Sequence, residues 1–118
     1  VPISRRADWV DETEEDIARS GLVSPIVGHV GDGNFHCSLL CDINDADEMR
    51  RVEAFLHRLV ERALALGGTC TGEHGIGQGK QKYLVPELGR EAVAAMRALK
   101  AALDPHNILN PGKILPPA

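Results

Sequence analysis

The feature that most constrains the fold is a run of four turn-forming residues, Gly31-Asp32-Gly33-Asn34, between two segments rich in β-forming side chains. These segments cover residues 26–30 and 35–41. Asp-Gly is a characteristic two-residue turn of a β-hairpin, because glycine readily adopts the left-handed backbone conformation that such turns need. The sequence therefore predicts two antiparallel strands joined by a tight turn at Asp32 and Gly33.

The predicted turn fixes the pairing of the strands and places His29 directly opposite His36. Directly opposed residues share one face of a sheet, with Cβ atoms about 4.5–5.5 Å apart. Asn34 and Ser38 fall on the same polar face. The other predicted pairs join Gly31 with Asn34 and Val30 with Phe35. The opposite face is apolar and is expected to lie against the core through Ile26, Val30, Phe35, Cys37, Leu39 and Cys41.

Helical periodicity predicts three helices in addition to the hairpin. Apolar residues recur at helical spacing over about residues 3–20, between Asp45 and Gly67, and over about residues 90–103. Asp45 and Glu48 have the spacing of a capping box at the start of the second helix. A short strand is expected at residues 69–71. These elements predict an α+β fold in which helices pack on one face of a small antiparallel sheet.

Two histidines on the non-core face of a hairpin can converge on one metal ion at about 2.0–2.1 Å each. A third ligand must come from a distant segment, and the glycine-rich loop Thr71-Gly72-Glu73-His74-Gly75 offers Glu73. Its neighbour His74 can then face whatever the metal binds. Two His and one carboxylate leave coordination positions open, as catalytic sites do. The residues alone also allow two plainer interpretations, a pair of surface histidines and a solvated Glu-His pair.

The composition and charge of the chain argue against some classes of function. The chain has 118 residues, of which 43% are hydrophobic and 25% charged, as expected for one soluble globular domain. A net charge of −4 without a basic cluster argues against nucleic-acid binding. No apolar run reaches the roughly 18 residues of a membrane span. Three cysteines without metal-type spacing favour free thiols in a reducing compartment, either the cytoplasm or the mitochondrial matrix.

Three motifs together resemble a known family. They are Gly28-His29-Val30-Gly31-Asp32-Gly33-Asn34-Phe35-His36, Gly72-Glu73-His74-Gly75-Ile76-Gly77 and Asn110-Pro111-Gly112-Lys113. In this order they are similar to the C-terminal part of FAD-linked oxidases of the vanillyl-alcohol-oxidase type, which include D-lactate, glycolate and D-2-hydroxyglutarate enzymes. The resemblance covers essentially the whole chain.

The resemblance implies roles for individual residues. His29, His36 and Glu73 match the ligands of a divalent ion, zinc or manganese, and His74 matches the catalytic base. Asn110 matches a tail asparagine near the flavin. Asn34 and Ser38, on the polar face, are expected next to the substrate. Relatives that act on 2-hydroxyglutarate have Asn in place of Ser38, so the resemblance favours D-lactate over a dicarboxylate.

The resemblance also implies a further domain, a reaction and an electron acceptor for the complete protein. We expect residues 1–118 to be the C-terminal segment of a larger flavoprotein whose FAD-binding domain lies upstream and is absent here, because the chain starts without Met at a predicted helix. The expected reaction is oxidation of D-lactate or a similar D-2-hydroxy acid to the 2-oxo acid. A cytochrome or an electron-transfer flavoprotein is the expected acceptor, and the segment alone is expected to be inactive and to self-associate.

Two other functions fit the residues. One is a stand-alone metal-binding or structural module that performs no reaction. The other is a metal-dependent hydrolase, in which water occupies the open coordination position and Glu73 or His74 acts as base without a flavin. A flavin-binding domain in the complete reading frame would exclude the hydrolase.

Overall fold

The computed structural model describes residues 1–29 and 31–117. The chain divides into two compact units, Val1–Thr69 and Cys70–Ala118, which are described separately. The described residues form α-helices and one two-stranded antiparallel sheet, so the predicted α+β class is confirmed. None of the described helices combines the length and the apolar character needed to cross a bilayer.

The first unit begins with a 3-10 turn at Ile3–Arg5 that leads into helix α1 at Arg6–Ser20, as the periodicity predicted. The helix ends at Gly21, whose φ of 62° is left-handed. The N–H groups of Gly21 and Leu22 donate to the carbonyls of Ala18 and Ile17. This is a Schellman ending, which requires a residue that tolerates positive φ.

Helix α2 spans Ala46–Ala65 and confirms the second predicted helix. The Asp45 carboxylate accepts hydrogen bonds from the N–H groups of Asp47 and Glu48 at 2.9 and 3.1 Å, so it caps the helix. The reciprocal half of the expected capping box is not formed. Glu48 instead accepts the N–H of Asp42 at 2.8 Å, while the N–H of Asp45 donates to the Asp42 carbonyl.

The hairpin consists of β1, Ile26–His29, and β2, Asn34–Cys37. Its register differs from the predicted one, because His29 pairs with Asn34 and Val27 pairs with His36. The predicted pairing of His29 with His36, and of Gly31 with Asn34, is therefore wrong. The predicted pairing of Val30 lies outside the described residues.

The physical reason for the different register is a longer turn. Four residues separate His29 from Asn34, the N–H of Asp32 donates to the His29 carbonyl at 2.9 Å, and Gly33 has a φ of 64°. Four-residue hairpin loops of this kind commonly contain a type I turn. The Asp-Gly pair thus lies in the turn, as predicted, but does not form a two-residue turn by itself.

The core of the first unit lies on the Phe35 face of the hairpin, as predicted. The rings of Trp9 from α1 and Phe35 from β2 are 3.9 Å apart between centroids, and Ala63 from α2 joins them. Gly28 lies opposite Phe35, and a Cβ atom there would meet the Phe35 Cβ at 2.9 Å. Glycine therefore lets the strands approach under the aromatic pair. Both α1 and α2 contribute to clusters on this face, which confirms the predicted packing for these two helices.

A buried carboxylate joins α1 to α2. Asp16 is only 2% exposed and accepts hydrogen bonds from Arg58 at 2.8 Å and from Arg62 at 2.9 Å. The Arg58 hydrogen bond, opposed by desolvation and assisted by Arg62, lowers the pKa of Asp16 to about 2. The carboxylate therefore stays ionised inside the helix interface at neutral pH.

The second unit contains a 3-10 turn at Gln81–Tyr83, the short helix α3 at Leu84–Leu88 and helix α4 at Arg90–Leu103. Helix α4 has the predicted bounds. The segment at 81–88 was not predicted, because it is too short to show a period. Residues 69–71 do not form the predicted strand, since none of them pairs with another described strand.

The tail of the second unit turns around Asp104. This carboxylate accepts the N–H groups of Ile108 and Leu109, both at 2.9 Å, and it pairs with Lys100. Lys100 also donates to the Leu109 carbonyl at 2.6 Å. The Lys100 contact lowers the pKa of Asp104, with the backbone donors acting in the same direction. This network fixes the backbone immediately before Asn110.

Candidate metal centre

The two hairpin histidines lie on one face of the sheet. Their rings are 5.5 Å apart between centroids, with an angle of 87° between the planes. A nitrogen of each ring lies within 4.8 Å of a nitrogen of the other. His29 is exposed at the end of β1 and His36 is half-buried in β2. The shared face that the sequence predicted is present, although the residues are diagonal neighbours and not opposed.

This geometry is compatible with a metal ion. Two nitrogens bound to one tetrahedral ion at 2.0–2.1 Å lie about 3.3 Å apart. The nitrogens of His29 and His36 lie within 4.8 Å of each other, so they are within the range from which side-chain rotation can reach that separation. The donor set also fits, because imidazole is a common ligand of zinc and of other divalent first-row ions.

The predicted substrate-side residues share the histidine face. Asn34 is half-buried and lies directly opposite His29. Ser38 follows β2 and is exposed. Its N–H donates to the Pro25 carbonyl at 3.1 Å, so the hairpin register continues to that point and puts Ser38 on the side of His36.

Val27 also lies on this face, although the sequence did not lead us to expect a site residue there. Val27 lies directly opposite His36, two residues from His29, and is 58% exposed. We expected this face to be polar throughout. Val27 instead gives it an apolar border beside the histidines. The position of Val27 could have been predicted from the sequence, because side chains alternate along a strand and residues 27 and 29 must therefore lie on the same face.

In the second unit, Glu73 and His74 occupy the loop between Cys70 and the 3-10 turn. The Glu73 Oε1 and the His74 Nε2 are 3.6 Å apart, and the side chains are 52% and 69% exposed. Thr71 Oγ1 donates to the Gly75 carbonyl at 3.0 Å, and Gly75 has a φ of 78°. Both side chains are thus presented to solvent by a short closed turn of backbone.

Asn110 lies in the tail, exposed, with a left-handed φ of 49°. Asparagine tolerates this conformation better than most side chains do. It borders a small cavity of about 210 Å³ together with Met96, Leu109 and Ile114. Asn110 therefore lies in a left-handed conformation beside an apolar recess of the second unit.

Glu87, which was not predicted from the sequence, is half-buried in α3. Its carboxylate accepts the N–H of Cys70 at 2.8 Å. Cys70 immediately precedes the segment that contains Glu73 and His74. No sequence pattern signals this contact, because the two residues are 17 positions apart.

The three cysteines are free thiols, in agreement with the absence of a disulfide pattern. Burial is the main cause that raises the pKa of both Cys37 and Cys70. A raised pKa keeps a cysteine protonated and unreactive at neutral pH. Cys70 is buried, and both its backbone N–H and its thiol contact Glu87.

Comparison with known proteins identifies relatives along the whole chain. The family model for FAD linked oxidases, C-terminal domain, matches residues 1–114. A protein of Danio rerio named a probable mitochondrial D-lactate dehydrogenase is 55% identical over 98% of this chain. A mitochondrial D-lactate dehydrogenase (cytochrome) of Arabidopsis thaliana is 44% identical over 99% of it. A glycolate oxidase subunit of Bacillus subtilis is 47% identical over 97%.

The matched regions are a minor part of these relatives. They cover 23% of the Danio rerio protein, 21% of the Arabidopsis thaliana protein and 24% of the Bacillus subtilis subunit. The chain thus spans about a fifth to a quarter of the length of the curated relatives that it matches.

Proposed function

The chain belongs to the family of FAD linked oxidases, C-terminal domain, and from that membership we propose that it is the metal-binding and base-bearing segment of an FAD-dependent 2-hydroxy-acid dehydrogenase. The proposed reaction is oxidation of D-lactate, or of a similar D-2-hydroxy acid, to the 2-oxo acid. The observation that carries the proposal is the pair of histidines on one sheet face, with ring nitrogens within 4.8 Å.

We assign the metal ligands as His29, His36 and Glu73. The two histidines offer ring nitrogens on one face of the hairpin, and Glu73 offers an exposed carboxylate. Zinc and manganese both accept this mixed set of ligands. When bound, the ion would act as a Lewis acid on the substrate hydroxyl and the flavin would accept the hydride.

His74 is the proposed base. An unprotonated ring nitrogen of His74 accepts the proton of the substrate 2-hydroxyl as the C2–H bond breaks. The His74 Nε2 lies 3.6 Å from the Glu73 Oε1, so the proposed base and the proposed metal ligand are close together in the loop. High exposure of both side chains leaves them accessible to a substrate.

The remaining residues of the site have supporting roles. Asn34, opposite His29, can hydrogen-bond a polar group of the substrate, and Ser38 offers a hydroxyl on the same face. We place Asn110 near the flavin, most of whose binding we assign to a separate domain upstream of residues 1–118.

The physiological setting is also a proposal. D-lactate dehydrogenases of Arabidopsis thaliana and Kluyveromyces lactis are named as mitochondrial and as cytochrome-linked. By analogy, a cytochrome is the proposed electron acceptor, with an electron-transfer flavoprotein as the alternative. The proposed location is the mitochondrial matrix in a eukaryote and the cytoplasm otherwise.

Separate substitution of Glu73 and His74 in the full-length flavoprotein tests the proposal. Glu73→Gln should lower the bound metal content, whereas His74→Gln should retain metal and slow flavin reduction by D-lactate by about 10²–10⁴-fold, the usual contribution of a general base. Metal content is measured by mass spectrometry and flavin reduction by stopped-flow absorbance. His106→Gln, an exposed histidine of the same unit, is the control. Wild-type rates in both test variants would refute the assignment.

A further inference from the structure

The loop that presents Glu73 and His74 contains few residues with strong conformational preferences. Gly72, Gly75 and Gly77 lie within it, and the last two have left-handed φ values of 78° and 54°. Glycine is the residue with the most conformational freedom to lose on ordering. The positions of the two functional side chains therefore depend on how the loop ends are held.

One end of the loop is held by a side chain that the proposed mechanism does not use. The Glu87 Oε2 accepts the N–H of Cys70 at 2.8 Å, three residues before Glu73. Cys70 is 4% exposed, so this N–H has little access to water. A buried N–H that loses its partner costs about 1–3 kcal/mol. The contact thus strongly favours one placement of the Cys70 backbone.

The same carboxylate also contacts the Cys70 thiol. Burial and then the hydrogen bond to Glu87 raise the pKa of Cys70 to about 12. The thiol therefore remains protonated and donates to the carboxylate. Two donors of one residue converge on Glu87, so both the backbone and the side chain of Cys70 are fixed.

The helix that carries Glu87 is itself packed against the rest of the second unit. Glu87 belongs to α3, whose Leu84 is buried, and the N–H of Gly89 closes the helix on the Val85 carbonyl at 2.9 Å. Helix α3 packs against α4. The far end of the loop is held separately, since the N–H of Ile114 donates to the Gly77 carbonyl at 2.7 Å.

From these contacts we propose that Glu87 is a positioning residue that sets the start of the loop, so that Glu73 and His74 meet the metal and the substrate in the productive arrangement. This inference rests on the proposed function. Glu87 does not touch the substrate in this role. It acts through Cys70, and its effect is on the placement of Glu73 and His74.

The expected effect of losing the contact is large because catalytic geometry is strict. A displacement of about 1 Å by a remote substitution can cost about 10²-fold in rate. Loss of a residue that orients a metal ligand typically costs about 10- to 100-fold in metal affinity. Glu87→Ala removes the acceptor, whereas Glu87→Gln keeps an amide oxygen that can accept the same N–H.

The test compares these variants in the full-length flavoprotein, with Glu91→Ala as the control because Glu91 is an exposed glutamate of the neighbouring helix α4. The measurements are zinc affinity by competition with a chromophoric chelator, kcat and KM for D-lactate, and hydrogen exchange of the loop amides. Glu87→Ala should weaken zinc binding and lower kcat, each by about 10- to 100-fold, and speed exchange at residues 71–77. Glu87→Gln should restore most of each value.

Specific results would overturn the inference. Unchanged zinc affinity and kcat in folded Glu87→Ala, or equal defects in the Ala and Gln variants, would do so. If Glu87→Ala does not fold, Glu87→Asp decides, because its carboxylate is one methylene too short to keep the same Cys70 placement. Wild-type metal affinity and kcat in that variant would refute positioning. Glu73→Gln and His74→Gln, measured in parallel, show whether the proposed function itself has failed.

Discussion

His29 and His36 are diagonal neighbours on one face of the hairpin, with their rings edge to face at 5.5 Å. Val27, not His29, is the residue directly opposite His36. The pairing is offset by two residues from the one that the Asp-Gly turn predicted. Side chains alternate with a period of two along a strand, so an offset of two keeps each residue on its predicted face.

Substitution of either histidine should weaken metal binding. We expect His29→Ala and His36→Ala in the full-length flavoprotein to reduce zinc affinity by more than the 10- to 100-fold typical of residues that merely orient a ligand. Competition with a chromophoric chelator measures the affinity. His57→Ala is the control, because His57 lies on the surface of α2 beside Glu61 at 3.3 Å. Wild-type affinity in either test variant would rule out that histidine as a ligand.

Removal of the metal should abolish turnover reversibly. The full-length flavoprotein treated with a chelator and desalted is expected to lose D-lactate oxidation, since the substrate hydroxyl then keeps its high pKa. Addition of zinc or manganese should restore the rate, while calcium, which prefers more oxygen ligands, should not. The rate of dye reduction is the measurement. Full activity in a preparation shown to be free of metal would contradict this expectation.

The stability of this chain should fall in acid because of Asp16. Contacts with Arg58 and Arg62 lower its pKa to about 2, whereas the unfolded chain has a value near 3.9. The stabilisation of about 3 kcal/mol is therefore complete above about pH 5 and is lost as the pH falls toward about 2.

Denaturant titrations at several pH values test this expectation. Asp16→Asn should be less stable than the wild type at pH 6, and the difference in free energy of unfolding should shrink toward pH 2. Asp104, whose pKa is also lowered, contributes equally to both proteins and cancels in the comparison. A difference that does not depend on pH would show that the charge of Asp16 does not stabilise the fold.

This chain in isolation should fold but should not oxidise D-lactate. Its clusters around Trp9 and Phe55 give the first unit a core, but a hydride acceptor must be supplied by a bound flavin. Circular dichroism checks folding, and gel filtration after incubation with FAD checks retention of the flavin. Substantial dye reduction, or stoichiometric retention of FAD, would disprove the assignment of the flavin site to another domain.

The isolated chain is also expected to self-associate at high concentration. Leu103 and Ile108 of the second unit are 80% and 74% exposed, and large exposed apolar side chains favour association. Light scattering over a concentration series measures the mass. Leu103→Glu should shift the distribution toward the monomer, and a wild-type chain that stays monomeric throughout would contradict the expectation.

Several features of this protein were determined by the sequence alone. Periodicity gave the bounds of α4 and the extent of α1, since a helix that buries one stripe must repeat its apolar residues every 3.6 positions. Alternation in the hairpin placed Phe35 toward the core and the histidines on the other face. Both patterns depend only on residues that are close together in the sequence. The roles of Glu73 and His74 were inferred from the glycine-rich loop and from the family resemblance, and that of Asn110 from the resemblance alone. All three remain predictions.

The tertiary structure alone decided the features that depend on distant partners. The register of the hairpin follows from its four-residue turn and from the approach of Gly28 to Phe35 beneath Trp9. The pairing of Asp16 with Arg58 joins residues 42 positions apart, and that of Glu87 with Cys70 joins residues 17 positions apart. No periodic pattern relates such residues. Asp16 and Arg58 meet because α1 packs against α2, and Glu87 meets Cys70 because the chain folds back between residues 70 and 87.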